Sequence, residues 1–123
     1  EYSKTRETFG APLASRQAIQ WMLVDSEIEI RACRWLVWEA AWQFDNGEDF
    51  RQAASVAKIH SAETLGNVVD RAIQIHGGMG VTEWLALERW YREARIRRIG
   101  EGPTEVQKMV IARELLNPGG VHA

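Results

Sequence analysis

Two stretches of unbroken helical spacing, each about thirty residues long and each closed by a glycine, constrain this 123-residue chain most. Between residues 15 and 46, apolar side chains fall at Ile19, Met22, Leu23, Ile30, Cys33, Leu36, Val37, Ala40, Ala41 and Phe44. These steps of three and four are the period of a helix with one buried stripe. The run stops at Asn46-Gly47, a pair suited to a left-handed cap. Between 48 and 76 the pattern repeats at Ala54, Ala57, Ser61, Leu65, Val68, Ala72 and Ile75, and Gly77-Gly78 ends it. Each helix is expected to be about 40 Å long at roughly 1.5 Å per residue. A loop from Gly77 to Thr82 leads to a third helix near Trp84 to Arg95. Gly100-Glu101-Gly102-Pro103 separates that from a last helix, with Thr104 as cap and Val106, Val110, Ile111, Leu115 and Leu116 as its apolar face. No segment alternates with period two, so strands are not expected. The pattern predicts an all-α fold, four or five helices in an up-and-down bundle.

At the N-terminus, Tyr2 and Thr5 read as the end of a helix that stops at Phe9-Gly10, with Pro12 behind it. The start, Glu1-Tyr2-Ser3-Lys4, has no initiator methionine and no targeting pattern, as expected for a piece of a longer protein. Asn117-Pro118-Gly119-Gly120 reads as a tail.

Composition removes several function classes. Fifteen Lys and Arg against seventeen Asp and Glu give a net charge of −2, unlike a strongly basic nucleic-acid binder. No apolar run approaches the ~20 residues of a membrane span. The single Cys33 excludes an internal disulfide and fits a reducing compartment, the cytoplasm or the mitochondrial matrix. Cys33 reads as an inert helix residue among apolar neighbours. His60, His76 and His122 have no ligand spacing, so no metal site is expected. Ser15, Ser55 and Ser61 lack a nucleophile-elbow context. Trp35, Trp38 and Trp42 form a stripe at i, i+3 and i+7, open to two readings, bundle core or subunit interface.

Three features remain as candidates for chemistry. Gly77, Gly78 and Gly80 follow a helix, so they are either a cap or a place where backbone approaches a phosphate. Arg89, Arg92, Arg95, Arg97 and Arg98 are interleaved with Glu88 and Glu93, as on a salt-bridged face, with Glu88–Arg92 a helix pair. Glu101 is a carboxylate between two glycines, which is either a solvated loop acid or a base reaching into a dry pocket.

Separate segments then agree with one family. Arg6-Glu7-Thr8-Phe9-Gly10-Ala11-Pro12-Leu13 with Gln17, Ala57-Lys58, Gln74-Ile75-His76-Gly77-Gly78-Met79-Gly80, Arg92-Glu93-Ala94, Ile99 to Gln107 and Ile111 to Leu116 resemble the acyl-CoA dehydrogenases in order and spacing. The resemblance covers residues 1 to about 116. It implies that 1–123 is a single domain, the C-terminal helical bundle of a longer three-domain flavoenzyme. It also implies FAD, incompletely held by this chain, an acyl-CoA substrate oxidised to a trans-2-enoyl-CoA, an electron-transfer flavoprotein as acceptor and a homodimer or homotetramer.

Carried onto this sequence, the resemblance makes Glu101 the catalytic base and sets Gly100 and Gly102 at the substrate. Thr104 and Glu105 fall where the family contacts FAD within one subunit. Arg6, Thr8, Arg16, Gln17, Gln74, Gly77 and Gly78 fall where a bundle touches its neighbour's FAD, and Arg6 and the amides near Gly77 suit a pyrophosphate. Departures from the family pattern are Pro103 where a threonine is usual, Gly100 for an aromatic, Val81 for an aromatic, and Leu85-Ala86 for Tyr-Pro. Gly100 suggests a wider pocket floor. The alternative readings are a non-catalytic oligomerisation bundle and a nucleic-acid-binding member of the same family.

Overall fold

The computed structural model describes residues 1–117. Its elements are α1 (Tyr2–Thr5), the strands β1 (Glu7–Thr8) and β2 (Ala11–Pro12), and the helices α2 (Gln17–Asp45), α3 (Arg51–His76), α4 (Leu87–Arg97) and α5 (Thr104–Leu116). Single 3-10 turns at Leu13–Ser15 and Gly77–Val81 bridge the joints before α2 and after α3.

The two long helices end as their glycines dictate. Gly47 takes φ 72 and Gly77 φ 59. The last carbonyls of α2 are met by Gly47 N–H on Phe44 O at 3.1 Å and Glu48 N–H on Gln43 O at 2.9 Å. The short connection folds α3 back along α2, and α3 then packs against α4 and α5 as well. α3 holds this central place because it is rich in small side chains. Ser55, Ala57, Ala62, Thr64 and Val69 are its buried residues, and small groups let neighbouring helix axes come close. Leu87 and Ala94 of α4 complete the buried apolar set.

One polar tie crosses the α2–α3 seam. Arg71 donates from Nη2 to Glu29 Oε1 at 2.7 Å and from Nη1 to Glu29 Oε2 at 2.8 Å, in a fork-on-fork pair. The guanidinium holds the Glu29 carboxyl below the usual carboxylate range, and Glu29 in turn raises Arg71. Gly80 serves close packing. A Cβ there would lie 2.7 Å from Ile73 O and 2.9 Å from Ile73 Cα, backbone that cannot step aside.

Several expectations are corrected. The N-terminal helix stops at Thr5, not Phe9, because Phe9 (φ 50) and Gly10 (φ 76) form the two-residue turn of a hairpin that pairs Glu7 with Pro12 and Thr8 with Ala11. Two residues per strand are too few to show a period of two. The Gly77–Thr82 segment is largely a 3-10 turn, and the third helix starts at Leu87, with Trp84 exposed in the turn before it. Thr104 is the first residue of α5, not its cap. Pro103 holds the cap position, and Thr104 donates Oγ1 to Arg98 O at 3.5 Å.

The expected apolar faces are only partly covered. Leu23, Ile30, Val37 and Phe44 of α2, Leu65 of α3, and Val106, Leu115 and Leu116 of α5 are exposed. Cys33 is half-buried rather than enclosed. The core reading of the tryptophan stripe fails for this chain by itself. Trp35, Trp38 and Trp42 are 69%, 51% and 57% exposed, and Trp35 and Trp38 meet edge to face at 5.0 Å on the open side of α2. Residues Pro118 to Gly120 of the expected tail, and His122, lie outside the described residues.

Candidate functional site

Glu101 sits in a corner that neither helix continues through. Ile99 N–H and Gly100 N–H both donate to Ile96 O, at 2.9 and 2.8 Å, which closes α4. The chain then turns left-handed twice, at Glu101 (φ 55) and Gly102 (φ 89), before Pro103 enters α5. A left-handed residue other than glycine costs roughly 1–2 kcal/mol and persists only where its surroundings fix it. Here Gln107 Nε2 donates to Glu101 O at 3.4 Å, and Lys58 Nζ of α3 donates to Gly102 O at 2.6 Å. Its φ of 89 favours glycine at 102, while a Cβ there would meet only the movable end of the Gln107 side chain.

The exposed Glu101 carboxylate makes no ion pair or hydrogen bond among the described residues. It borders a groove of about 390 Å³ whose other lining residues are Lys58, Ser61, Ala62, Leu65, Ile96, Arg97 and Gly100. Beyond the Ile96 carbonyl at 3.5 Å, nothing stands within 4 Å of where a Gly100 Cβ would be. Ser61 has a buried Oγ without a hydrogen-bond partner. Gly102, expected beside the substrate, is not among the lining of the groove, and its carbonyl accepts from Lys58.

A second groove, of about 560 Å³, gathers Arg6, Thr8, Gln74, Gly77 and Gly78 with Tyr2, Leu13, Ile19, Ile75, His76 and Met79. Five of the seven residues expected at a neighbour's cofactor therefore meet in one place. Arg16 is not among the lining; its Nη2 donates to Thr8 O at 2.7 Å and Phe9 O at 3.3 Å, so it braces the hairpin that carries Thr8. Gln17 is exposed outside the groove, and Thr104 and Glu105 line neither groove. The Gly77 amide is committed to Gln74 O and is no free anion donor. His76 stacks on Tyr2 with ring centroids 4.2 Å apart, and its Nδ1 is 2.7 Å from Ala72 O.

The grooves share no residue. From Lys58 to His76 is eighteen steps along α3, about 27 Å at 1.5 Å per residue. Sequence reasoning gave no role to Lys58, Ser61 or His76. The available signal was the spacing of Lys58, Ser61, Ala62 and Leu65, which is one stripe of a helix facing the Glu101 corner.

Of the arginine cluster, Arg92 of α4 pairs with Glu88 at 2.9 Å, Arg89 with Glu93 at 3.9 Å, and Arg98, just past the end of α4, with Glu63 at 3.2 Å. Among the described residues no group of three or more His, Cys, Asp or Glu is gathered, and no helix is long and apolar enough to cross a membrane.

A helical bundle with a glycine-flanked acid at one groove and a glycine-ended helix at another defines a class, and comparison gives it a name. Residues 1–116 match the model of the acyl-CoA dehydrogenase C-terminal domain, and the chain belongs to that family. It is 44% identical over 115 residues to the probable acyl-CoA dehydrogenase YngJ of Bacillus subtilis, covering 94% of this chain and 30% of that protein. The structure of butyryl-CoA dehydrogenase from Megasphaera elsdenii superposes with a TM-score of 0.92 at 40% identity, over 94% of this chain and 30% of that one. The FAD complex of PigA superposes with a TM-score of 0.90 at 29% identity, over 96% and 31%. The chain thus spans about 30% of the length of the relatives it matches.

Proposed function

We propose that this chain is the C-terminal domain of an FAD-dependent acyl-CoA dehydrogenase that converts an acyl-CoA thioester to a trans-2-enoyl-CoA, with Glu101 as the general base. The observation that carries the reading is the unpaired Glu101 carboxylate, held on a left-handed corner at the mouth of a largely apolar groove. FAD, when bound, supplies the acceptor for the hydride leaving the β-carbon.

The protein's own part is proton transfer and placement. Glu101 takes the proton from the carbon α to the thioester carbonyl; this needs a free carboxylate, and its lack of ion pairs keeps both oxygens available. Leu65, Ala62 and Ile96 give the acyl chain an apolar wall. Ser61 Oγ, buried and unpartnered, has hydrogen-bonding capacity left for a polar group in the groove. Open space at Gly100 leaves room for a bulky or branched acyl group.

The second groove suits a flavin cofactor by its donors and its shape. Arg6 supplies a cation, Thr8 and Gln74 supply hydroxyl and amide groups, and side chains at Gly77 or Gly78 would project into space that is empty within 4 Å. The two grooves share no lining residue, and their nearest α3 residues, Leu65 and Gln74, are nine steps or about 14 Å apart, so this second one serves the cofactor of a neighbouring subunit in a homodimer or homotetramer. The exposed Trp35, Trp38 and Trp42 then belong to a face covered in the assembly. An electron-transfer flavoprotein is the expected acceptor.

The test is Glu101→Gln in the full-length flavoenzyme. Flavin reduction by acyl-CoA should fall by about 1,000-fold with flavin still bound, the middle of the 10²–10⁴ ordinarily assigned to a general base. Near-normal reduction removes Glu101 from the mechanism.

A further inference from the structure

We infer that Lys58 is a positioning residue for Glu101, acting through the carbonyl of Gly102. The inference rests on the proposed role of Glu101 as base.

Local contacts and ties to α3 together fix the corner between α4 and α5. Two are local: Gln107 Nε2 on Glu101 O, and Thr104 N–H on Arg98 O at 3.1 Å, each six residues apart. They shape the turn but cannot set it against the rest of the domain. Lys58 is 44 residues from Gly102 and belongs to α3, which forms the facing wall of the groove. The Arg98–Glu63 pair, at 3.2 Å, also joins the chain to α3 but three residues before Glu101; the 2.6 Å Lys58 bond, one residue after it, is the nearer tie between the base and the surface against which substrate lies. A half-buried ammonium joined to a backbone carbonyl, with no carboxylate partner among the described residues, is also a costly arrangement to keep for stability alone.

The conformational argument points the same way. Glu101 at φ 55 is strained; the peptide that follows it is held through Glu101 O by Gln107, and the next one, Gly102–Pro103, is held through Gly102 O by Lys58. Without the Lys58 donor the Gly102–Pro103 peptide loses its tie to α3, and the left-handed corner at Glu101 and Gly102 can relax, which returns Glu101 to an unstrained φ and swings its carboxylate off the groove. Proton abstraction suffers while acyl-CoA binding, which depends on the apolar walls, does not.

The experiment compares Lys58→Met, Lys58→Arg and Glu101→Gln in the full-length flavoenzyme, using the straight-chain acyl-CoA that reduces the wild-type flavin fastest. Lys58→Met keeps the stem and loses the donor. Its limiting rate of flavin reduction should fall roughly 100-fold, the cost of about 1 Å of misplacement, with KM within twofold. Lys58→Arg should recover to within tenfold of wild type. Amide hydrogen exchange without substrate should quicken at least tenfold across residues 99–107 in Lys58→Met and stay unchanged across 51–76. Should Lys58→Met lose protection throughout α3, Lys58→Gln, which is too short to reach Gly102 O and packs more easily, is read in its place.

A normal rate and normal exchange overturn the inference. So does a loss confined to KM, or one that Lys58→Arg does not restore. Glu101→Gln separates the two levels. If it abolishes reduction while Lys58→Met is normal, only the role of Lys58 fails; if it reduces flavin normally, the reading of Glu101 as base fails, and this inference with it.

Discussion

The Glu29–Arg71 pair offers the clearest measure of what holds α2 to α3. Its side chains are 26% and 22% exposed and joined by two bonds, so it lies between a surface ion pair, worth 0–1 kcal/mol, and a buried one, whose rupture costs 3–5 kcal/mol. Partial exposure lets water rescue a bereaved partner, which sets the expected loss for Glu29→Gln or Arg71→Met at about 2 kcal/mol. The double-mutant coupling should be about 1–1.5 kcal/mol. The pH dependence has a definite sign. Because the folded carboxyl is held below its unfolded value near 4.3, its contribution is fully present above that value and disappears as pH falls through the lower folded value. Urea unfolding of the four proteins of the cycle at pH 7 and at pH 3 is the assay. A coupling below about 0.3 kcal/mol at pH 7, or one that does not weaken on acidification, would refute the argument that this pair ties the helices.

Other outcomes follow from single positions. Gly80→Ala should cost upwards of about 2 kcal/mol, since the added methyl meets the Ile73 backbone, whereas Gly78→Ala, facing open space, should leave thermal stability within about 0.5 kcal/mol. Gly47→Ala should cost about 1–2 kcal/mol through its φ of 72 alone, as read by denaturant midpoint. Acrylamide should quench most of the tryptophan fluorescence of the 123-residue chain, because Trp21, Trp35, Trp38, Trp42, Trp84 and Trp90 are all exposed; strong protection of the stripe would mean that copies associate through it. The purified 123-residue polypeptide should neither oxidise acyl-CoA nor bind FAD stoichiometrically, and either activity would contradict the incompleteness proposed for its cofactor site.

The long helices were legible because their signal is redundant. Ten apolar positions define α2, and Gly47 and Gly77 mark stops that only glycine takes easily. The hairpin at Glu7–Pro12 was not, since two-residue strands carry no period, and its one clue was Phe9-Gly10, read as the end of a helix. The α4 boundary slipped by three residues because Trp84 resembles a helix anchor but faces solvent. Glu101 stood out by its glycine neighbours. Lys58 did not, because its partner is a carbonyl 44 residues away, and backbone acceptors leave no trace in side-chain spacing. The exposure of the tryptophan stripe could not be read either, since periodicity says which residues share a face and not what covers it.

One helix, α3, bounds both grooves, with Lys58 to Leu65 at the first and Gln74 to His76 at the second. A helix is stiff along its axis, so a displacement at one end arrives nearly undiminished at the other. Slippage of α3 by one residue, about 1.5 Å, would loosen the grip on the Glu101 corner and shift the glycine-lined end by the same amount. In the proposed assembly those ends serve different active centres. The helix then acts as a common gauge that keeps the two centres in step.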